Sequence, residues 1–239
     1  MARSRAQAVG LIESGVVRVT GIPTPKAASM VAPGDPIELD LPPRFVGRGG
    51  EKLEAALTAF GVDPAGKNCL DAGASTGGFT DCLLQHGASR VVALDVGHDQ
   101  LHESLARRDD VVVADRTNLR FVSPDEVGGP FDLVVGDLSF ISLCTVATAI
   151  RNLTKPSGDV IMLVKPQFEV GRSKVGKGGI VRDPRLHTAA LERVAGCFEA
   201  EGLTPLGVVR SPITGAKGNV EFLLWARPGA DGVELEYPL

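Results

Sequence analysis

The chain of 239 residues lacks any run approaching about 18 consecutive apolar residues, so nothing in it reads as a membrane-spanning helix. No signal-peptide pattern is visible at its start, and the expectation is a soluble cytoplasmic protein. It has only four cysteines, Cys69, Cys82, Cys144 and Cys197, with no C-x-x-C pair. That scatter argues against a disulfide framework or a zinc site; buried thiols in a reducing cytosol are the plain expectation. The H-E-x-x-H metal motif is also missing. His98 and His102 would share a helix face, but Asp99 and Gln100 follow His98 and no third ligand is evident, so no metal is expected. There is no internal repeat and no low-complexity segment. A large excess of basic charge is absent too: the formal net charge is -4, which argues against a uniformly basic RNA coat. The first 52 residues are nevertheless mildly basic, with Arg3, Arg5, Arg18, Lys26, Arg44, Arg48 and Lys52 set against five acids. Such asymmetry fits an anionic polymer at one end, and a solvated surface explains it nearly as well.

Hydrophobic residues make up 44% of the chain, enough for one large domain with a full core plus a small one. Residues 1–40 read as a helix with Ala6, Val9, Leu11 and Ile12 on one face, stopped by Gly15, followed by short strands at 16–19 and 37–39. Residues 41–46, with two prolines, form a stiff connector. Over residues 47–239 helices and strands alternate. Helices are predicted at 52–60, 78–86, 100–107, 142–152 and 185–201, and strands at 68–71, 90–95, 111–114, 131–136, 160–165, 206–210 and 220–226. This order specifies a doubly wound α/β sheet of about seven mostly parallel strands, closed by an antiparallel hairpin.

The most informative stretch is Cys69-Leu70-Asp71-Ala72-Gly73-Ala74-Ser75-Thr76-Gly77-Gly78-Phe79-Thr80. A short apolar strand ends in an acid, a loop of small residues follows, and an amphipathic helix begins. This is where an open α/β sheet binds a nucleotide-like ligand, because residues without side chains let backbone approach it closely. The spacing is not G-x-G-x-x-G, so a dinucleotide pyrophosphate is not the first choice. Asp71 ahead of the loop and Asp95 at the end of the next strand suit a cofactor with an ammonium and a ribose diol, as in S-adenosylmethionine.

Four further polar residues stand against their surroundings, each with an ordinary reading beside it. Asp137 ends an apolar strand at the ligand-binding edge, or is simply a loop acid or helix N-cap. The string Asp137-Leu138-Ser139-Phe140 lacks the prolines of the Asp/Asn-Pro-Pro-Tyr motif of base-amine methylating enzymes. Lys165 closes another buried strand, where a charge needs a partner unless its stem reaches water past the sheet rim. Glu221 opens the last strand, where an edge charge also discourages strand pairing. Lys52 opens the helix before the first strand of the sheet and reads by itself as an ordinary helix lysine. Together, Lys52, Asp137, Lys165 and Glu221 resemble the Lys–Asp–Lys–Glu tetrad of ribose 2′-O-methyltransferases. In that chemistry a lysine with a lowered pKa serves as general base, helped by a second cation. Lys165 is the expected base and Lys52 the second cation; Asp137 orients Lys165 or the methyl donor, and Glu221 holds a lysine.

Five strings, Arg48-Gly49-Gly50-Glu51-Lys52-Leu53, Asp71 to Thr80, Asp137 to Ser142, Leu163-Val164-Lys165-Pro166-Gln167-Phe168-Glu169 and Gly218-Asn219-Val220-Glu221, resemble the TlyA family across essentially the whole chain. Proteins of that family are called hemolysins and also act as 2′-O-methyltransferases on ribosomal RNA cytidines. The resemblance implies a class I, Rossmann-like methyltransferase fold, S-adenosylmethionine as cofactor, and ribosomal RNA within ribosomal subunits as partner. It implies the tetrad above, a cofactor loop of Asp71, Gly73, Ala74, Ser75, Thr76, Gly77 and Gly78 together with Asp137, Asp95 at the ribose hydroxyls and Asp115 near the adenine. The front segment resembles a shortened S4-type RNA-binding domain, a small partial α+β unit starting without the helix that usually precedes Ser4-Arg5. Arg3, Arg5, Lys26 and Arg48 are the expected RNA contacts, the first three on phosphates. The basic loop from Gly171 to Gly179 either clamps RNA or is a solvated loop. Two other classes stand beside the enzyme: an RNA-binding protein without catalysis, and a membrane-active hemolysin.

Overall fold

The computed structural model describes residues 2, 4–40, 43–215 and 217–238. Arg3 and the first two residues of the connector lie outside the described residues. The chain divides into two compact units, Met1–Arg44 and Phe45–Leu239.

In the first unit, helix α1 (Arg5–Glu13) starts at Ser4, whose side chain accepts a hydrogen bond from the Gln7 amide as an N-cap. Strands β1 (Val17–Val19) and β2 (Ile37–Leu39) pair antiparallel, with Val17 opposite Leu39. No residue of α1 is buried, and Met30 is 90% exposed. A unit this short buries little apolar surface, which is why its buried apolar residues, among those described, are Val17 and Val19.

The second unit carries the site. Helix α2 (Gly49–Phe60) precedes the first strand, β3 (Asn68–Ala72). Then follow α3 (Gly78–Gln85), β4 (Arg90–Leu94), α4 (Glu103–Ala106), β5 (Val111–Ala114), α5 (Pro124–Val127) and β6 (Phe131–Gly136). The second half comprises α6 (Leu143–Leu153), β7 (Thr154–Val164), α7 (Pro166–Glu169), α8 (Pro184–Ala200), β8 (Leu203–Arg210) and β9 (Phe222–Pro228). The seven-stranded sheet has the order β5-β4-β3-β6-β7-β9-β8, with β9 antiparallel to both neighbours and the other pairings parallel.

Both faces of the sheet are covered. One core joins Val134, Val160 and Met162 to the apolar sides of α6 and α8. The other joins Cys69, Val91 and Leu163 to Leu53, Leu57, Phe79 and Leu83 on α2 and α3. This two-sided burial is why the central strands are almost continuously apolar. After β3 the chain winds outward through β4 to β5, then returns to the other side of β3 as β6. The crevice at the carboxyl ends of β3 and β6 is therefore the topological switch point. Among the described residues no helix is long and apolar enough to cross a membrane.

Three expectations need correction. Residues 100–107 are not one helix: α4 covers only Glu103–Ala106, because His102 caps it by accepting from the Ser104 amide. His98 lies in a bend before it, so the two histidines share no helix face. Second, Cys144 and Cys197 form a disulfide with a Cα separation of 5.3 Å. The pairing follows from α6 packing beside α8, a tertiary contact that cysteine spacing does not encode. Cys69 and Cys82 are buried thiols outside any disulfide, as expected, and burial pushes the Cys69 thiol up to about 12. Third, α2 begins at Gly49, three residues ahead of Lys52, so Lys52 lies inside the helix rather than opening it.

Candidate active site

The loop after β3 is shaped by Gly73, which has φ 83°. A Cβ there would lie 2.9 Å from the Asp137 carbonyl oxygen, so this crossing of the two loops admits no side chain. The amides of Gly73 and Ala74 donate to the Leu94 carbonyl at 2.8 and 3.1 Å, tying the loop to β4. Beneath it, Asp71 is fully buried. Its Oδ2 accepts from the Thr80 amide at 2.8 Å and the Thr80 hydroxyl at 2.7 Å, while Oδ1 has no hydrogen-bond partner among the described residues. Burial raises the Asp71 carboxyl to about 7, against the lowering effect of the Thr80 bonds. Asp95 accepts from the Ser75 amide at 2.9 Å and the Gly97 amide at 2.7 Å, so it fixes the loop as well as facing the cleft.

The cleft has two lobes. One of about 220 Å³ is bordered by Gly47, Arg48, Asp71, Gly73, Thr76 and Asp137. The other, about 420 Å³, is bordered by Ser75, Asp95, Thr117, Asn118, Leu138 and Ile141. Asp115 is not among its lining side chains; its carboxylate accepts from the Asp99 amide at 2.9 Å. Arg48 borders the first lobe, whereas Arg5 and Lys26 are exposed on the first unit.

At the mouth of the cleft the four predicted polar residues meet. Lys52 Nζ donates to Glu221 Oε2 at 2.7 Å and stands 3.7 Å from Asp137 Oδ2. Lys165 Nζ pairs with Asp137 Oδ1 and donates to Ser139 Oγ at 2.9 Å. Asp137 thus bridges two ammonium groups. Lys52 is 8% exposed, Lys165 9% and Glu221 3%, so each charge is both desolvated and paired. Local structure explains the convergence. Pro166 starts α7 immediately after β7, leaving Lys165 at its N-cap position. Glu221 directly precedes β9, and a Cβ at Gly215 would collide with its carboxylate.

Beyond Lys165 opens a second cavity of about 330 Å³, bordered by Phe140, Gln167, Phe168, Val175, Lys217 and Glu221. Phe140 is 91% exposed and holds φ 64°, a strained value for a residue with a side chain. Its ring sits 5.3 Å from that of Phe168, and Lys165 Nζ lies 6.0 Å from the Phe168 centroid. The loop from Gly171 to Gly179 contributes Val175 and Gly179 to this wall. Sequence reasoning quoted Thr80, Ser139, Phe140 and Phe168 within motifs but gave none a role. Ser139, Phe140 and Phe168 each sit two or three residues from Asp137 or Lys165, whereas Thr80, nine residues after Asp71, carries no such signal.

A glycine loop after the first strand, a switch-point cleft and an antiparallel last strand define a class I methyltransferase. The chain belongs to the FtsJ-like methyltransferase family, whose model matches residues 45–228. It is 48% identical over 233 residues to the 16S/23S rRNA (cytidine-2'-O)-methyltransferase TlyA of Mycobacterium tuberculosis, covering 97% of this chain and 87% of that relative. A solved structure from Lactococcus lactis, described as a candidate hemolysin, superimposes with TM-score 0.77 at 42% identity, over 82% of this chain and 93% of that one. An S-adenosylmethionine dependent methyltransferase from Mesorhizobium loti shares the fold at TM-score 0.56 and 16% identity, over 76% of this chain and 100% of its own.

Proposed function

We propose that this enzyme transfers a methyl group from S-adenosylmethionine to a cytidine 2′-hydroxyl of ribosomal RNA presented within ribosomal subunits, and that it works in the cytoplasm. The observation that carries this reading is the gathering of Lys52, Asp137, Lys165 and Glu221 between the two-lobed cleft and the aromatic-walled cavity. The cofactor assignment is supported by the side-chain-free crossing at Gly73 and by the unpartnered Asp71 Oδ1, a buried acceptor suited to an ammonium. When bound, S-adenosylmethionine supplies a methyl group already activated as a sulfonium. The small-residue loop from Gly73 to Gly78 would cradle its amino-acid end, and Asp95 would accept from ribose hydroxyls.

The protein's own groups then do the following. Lys165 Nζ is the group that takes the proton of the ribose hydroxyl. Asp137 and Ser139 hold that nitrogen at the cleft mouth. Lys52, fixed by Glu221, supplies a second positive charge beside Asp137. Phe140 and Phe168 offer a stacking face for an unpaired base, the form in which RNA sequence is read. Alignment of the hydroxyl with the methyl donor supplies much of the acceleration. The first unit, with Arg5 and Lys26, is read as a partial S4-like module that adds salt-dependent phosphate affinity; Arg48 is a further RNA contact on the second unit.

The test is tritiated methyl transfer from S-adenosylmethionine to isolated ribosomal subunits, with wild type and Lys165→Ala. Incorporation that disappears in the variant supports the reading. Failure of the wild type to label either subunit while it still binds the cofactor would sink it.

A further inference from the structure

Two chain segments carry the reacting groups: Asp137–Ser142 after β6 and Lys165–Glu169 after β7. Their far ends are joined by a residue outside the tetrad. Glu169 is 1% exposed, and its carboxylate accepts from the Ser142 hydroxyl at 2.6 Å and the Leu143 amide at 2.9 Å. Leu143 is the first residue of α6, so the carboxylate sits at the positive end of that helix. The Glu169 backbone oxygen in turn accepts from an Arg193 guanidinium nitrogen on α8 at 2.7 Å. Glu169 is absent from the walls of the aromatic cavity, yet it closes a ring with it. Four residues back, Lys165 reaches across to Asp137 and Ser139; one residue back, the Phe168 ring meets Phe140. Phe140 keeps its left-handed backbone between the two anchored ends, and strain of that kind persists only where the surroundings over-determine it.

We propose that Glu169 is a positioning residue for methyl transfer. By clamping the start of α6 it holds the Asp137–Ser142 loop so that Asp137 and Ser139 both meet Lys165 Nζ. This rests on the reading of Lys165 as the group that takes the hydroxyl proton. Losing the clamp lets the loop shift by a fraction of an ångström to an ångström, enough to cost about 100-fold in kcat. The glycine loop from Gly73 to Gly78, Asp95 and Phe168 lie outside the clamped segment, so binding changes less than the chemical step, although Leu138, Phe140 and Ile141 of that segment line the cavities.

The test compares Glu169→Ala with Glu169→Gln. Glutamine preserves the geometry: its carbonyl accepts from the Leu143 amide, and its NH2 donates to the Ser142 hydroxyl, which turns its hydrogen away. Alanine is expected to lower kcat by about 100-fold with both KM values within about threefold, and glutamine to stay within about fivefold of wild type. A second readout does not depend on methylation: the rate at which Lys165 is acylated by a small amine reagent, mapped by mass spectrometry and referenced to Lys67 and Lys155, which pair with Asp159 and Asp132. Lys165 labelling is expected to rise several-fold in the alanine variant and not in the glutamine variant. Unchanged kcat in Glu169→Ala, or lost kcat with unchanged Lys165 labelling, overturns the proposal. Should Glu169→Ala fail to fold, Ser142→Ala removes one of the two bonds and is expected to show the same labelling change at smaller size; no change there overturns it equally. Raised labelling in a protein that methylates no RNA upholds the positioning role while refuting the methylation reading.

Discussion

Asp71 couples proton binding to stability and, if it faces the cofactor ammonium as proposed, to cofactor affinity; the size of the coupling follows from its surroundings. Burial raises its carboxyl from 3.8 to about 7, against the lowering effect of the two hydrogen bonds from Thr80. A shift of roughly three units corresponds to about 4 kcal/mol between the two protonation states. Between about pH 4 and pH 7 the folded protein holds a proton that the unfolded chain has already released. Stability from this group therefore falls as pH rises through that window, by at most about 1.4 kcal/mol per unit, and levels off above it. Asp71→Asn is neutral at every pH and keeps a carbonyl for Thr80. The difference in unfolding free energy, variant minus wild type, should grow by up to about 4 kcal/mol from pH 4 to pH 8, read from urea midpoints. A cationic ligand beside Oδ1 favours the ionised form, so wild-type affinity for S-adenosylmethionine should weaken as pH drops below about 7. Calorimetry near pH 6 in two buffers of different ionisation heat should show close to one proton released on binding, and none in the variant. A pH-independent stability difference together with no proton release would refute the description of Asp71.

Three other perturbations are expected to separate stability from function. Glu221→Ala strands Lys52 with only Asp137 at 3.7 Å, and should destabilise by about 3–5 kcal/mol in denaturant titrations. The double change Lys52→Met with Glu221→Leu should recover most of that stability without recovering methyl transfer; a single variant of unaltered stability contradicts the buried pair. Reducing the Cys144–Cys197 disulfide opens a link across 53 residues and should lower stability by up to about 4 kcal/mol on the chain-entropy model, checked by urea midpoints with and without reductant. Phe140→Ala removes a ring that is 91% exposed, so stability should move by less than about 0.5 kcal/mol. Turnover on RNA should fall by an amount equivalent to about 1–3 kcal/mol, the worth of one base stack, and an unimpaired variant would remove the ring from the RNA path.

Much of the fold is legible because its signals are local. Asp71 to Thr80 encodes strand, loop and helix in consecutive residues, and the apolar run Phe131–Gly136 announces a strand buried on both faces. The tetrad is legible for a different reason: three of its members stand at ends of apolar runs, where an α/β sheet places ligands. What stayed hidden depends on contacts between distant segments. Spacing alone does not tell that Cys144 meets Cys197, since the meeting depends on how α6 lies against α8. Gln100 and Leu101 continue a helical pattern, yet His102 takes the cap and excludes them. Glu169 reads in sequence as one more acid after a proline, and only the meeting of two loops gives it partners. The strain at Phe140 has no sequence signal, because nothing about phenylalanine favours a positive φ.

The most direct measurement digests ribosomal RNA from treated subunits to nucleosides and identifies the methylated product by mass spectrometry. The expected product is 2′-O-methylcytidine, with the modified linkage resistant to alkaline cleavage and its formation lost in Lys165→Ala. A methyl group on the base, or an alkali-sensitive linkage at the labelled position, would contradict it.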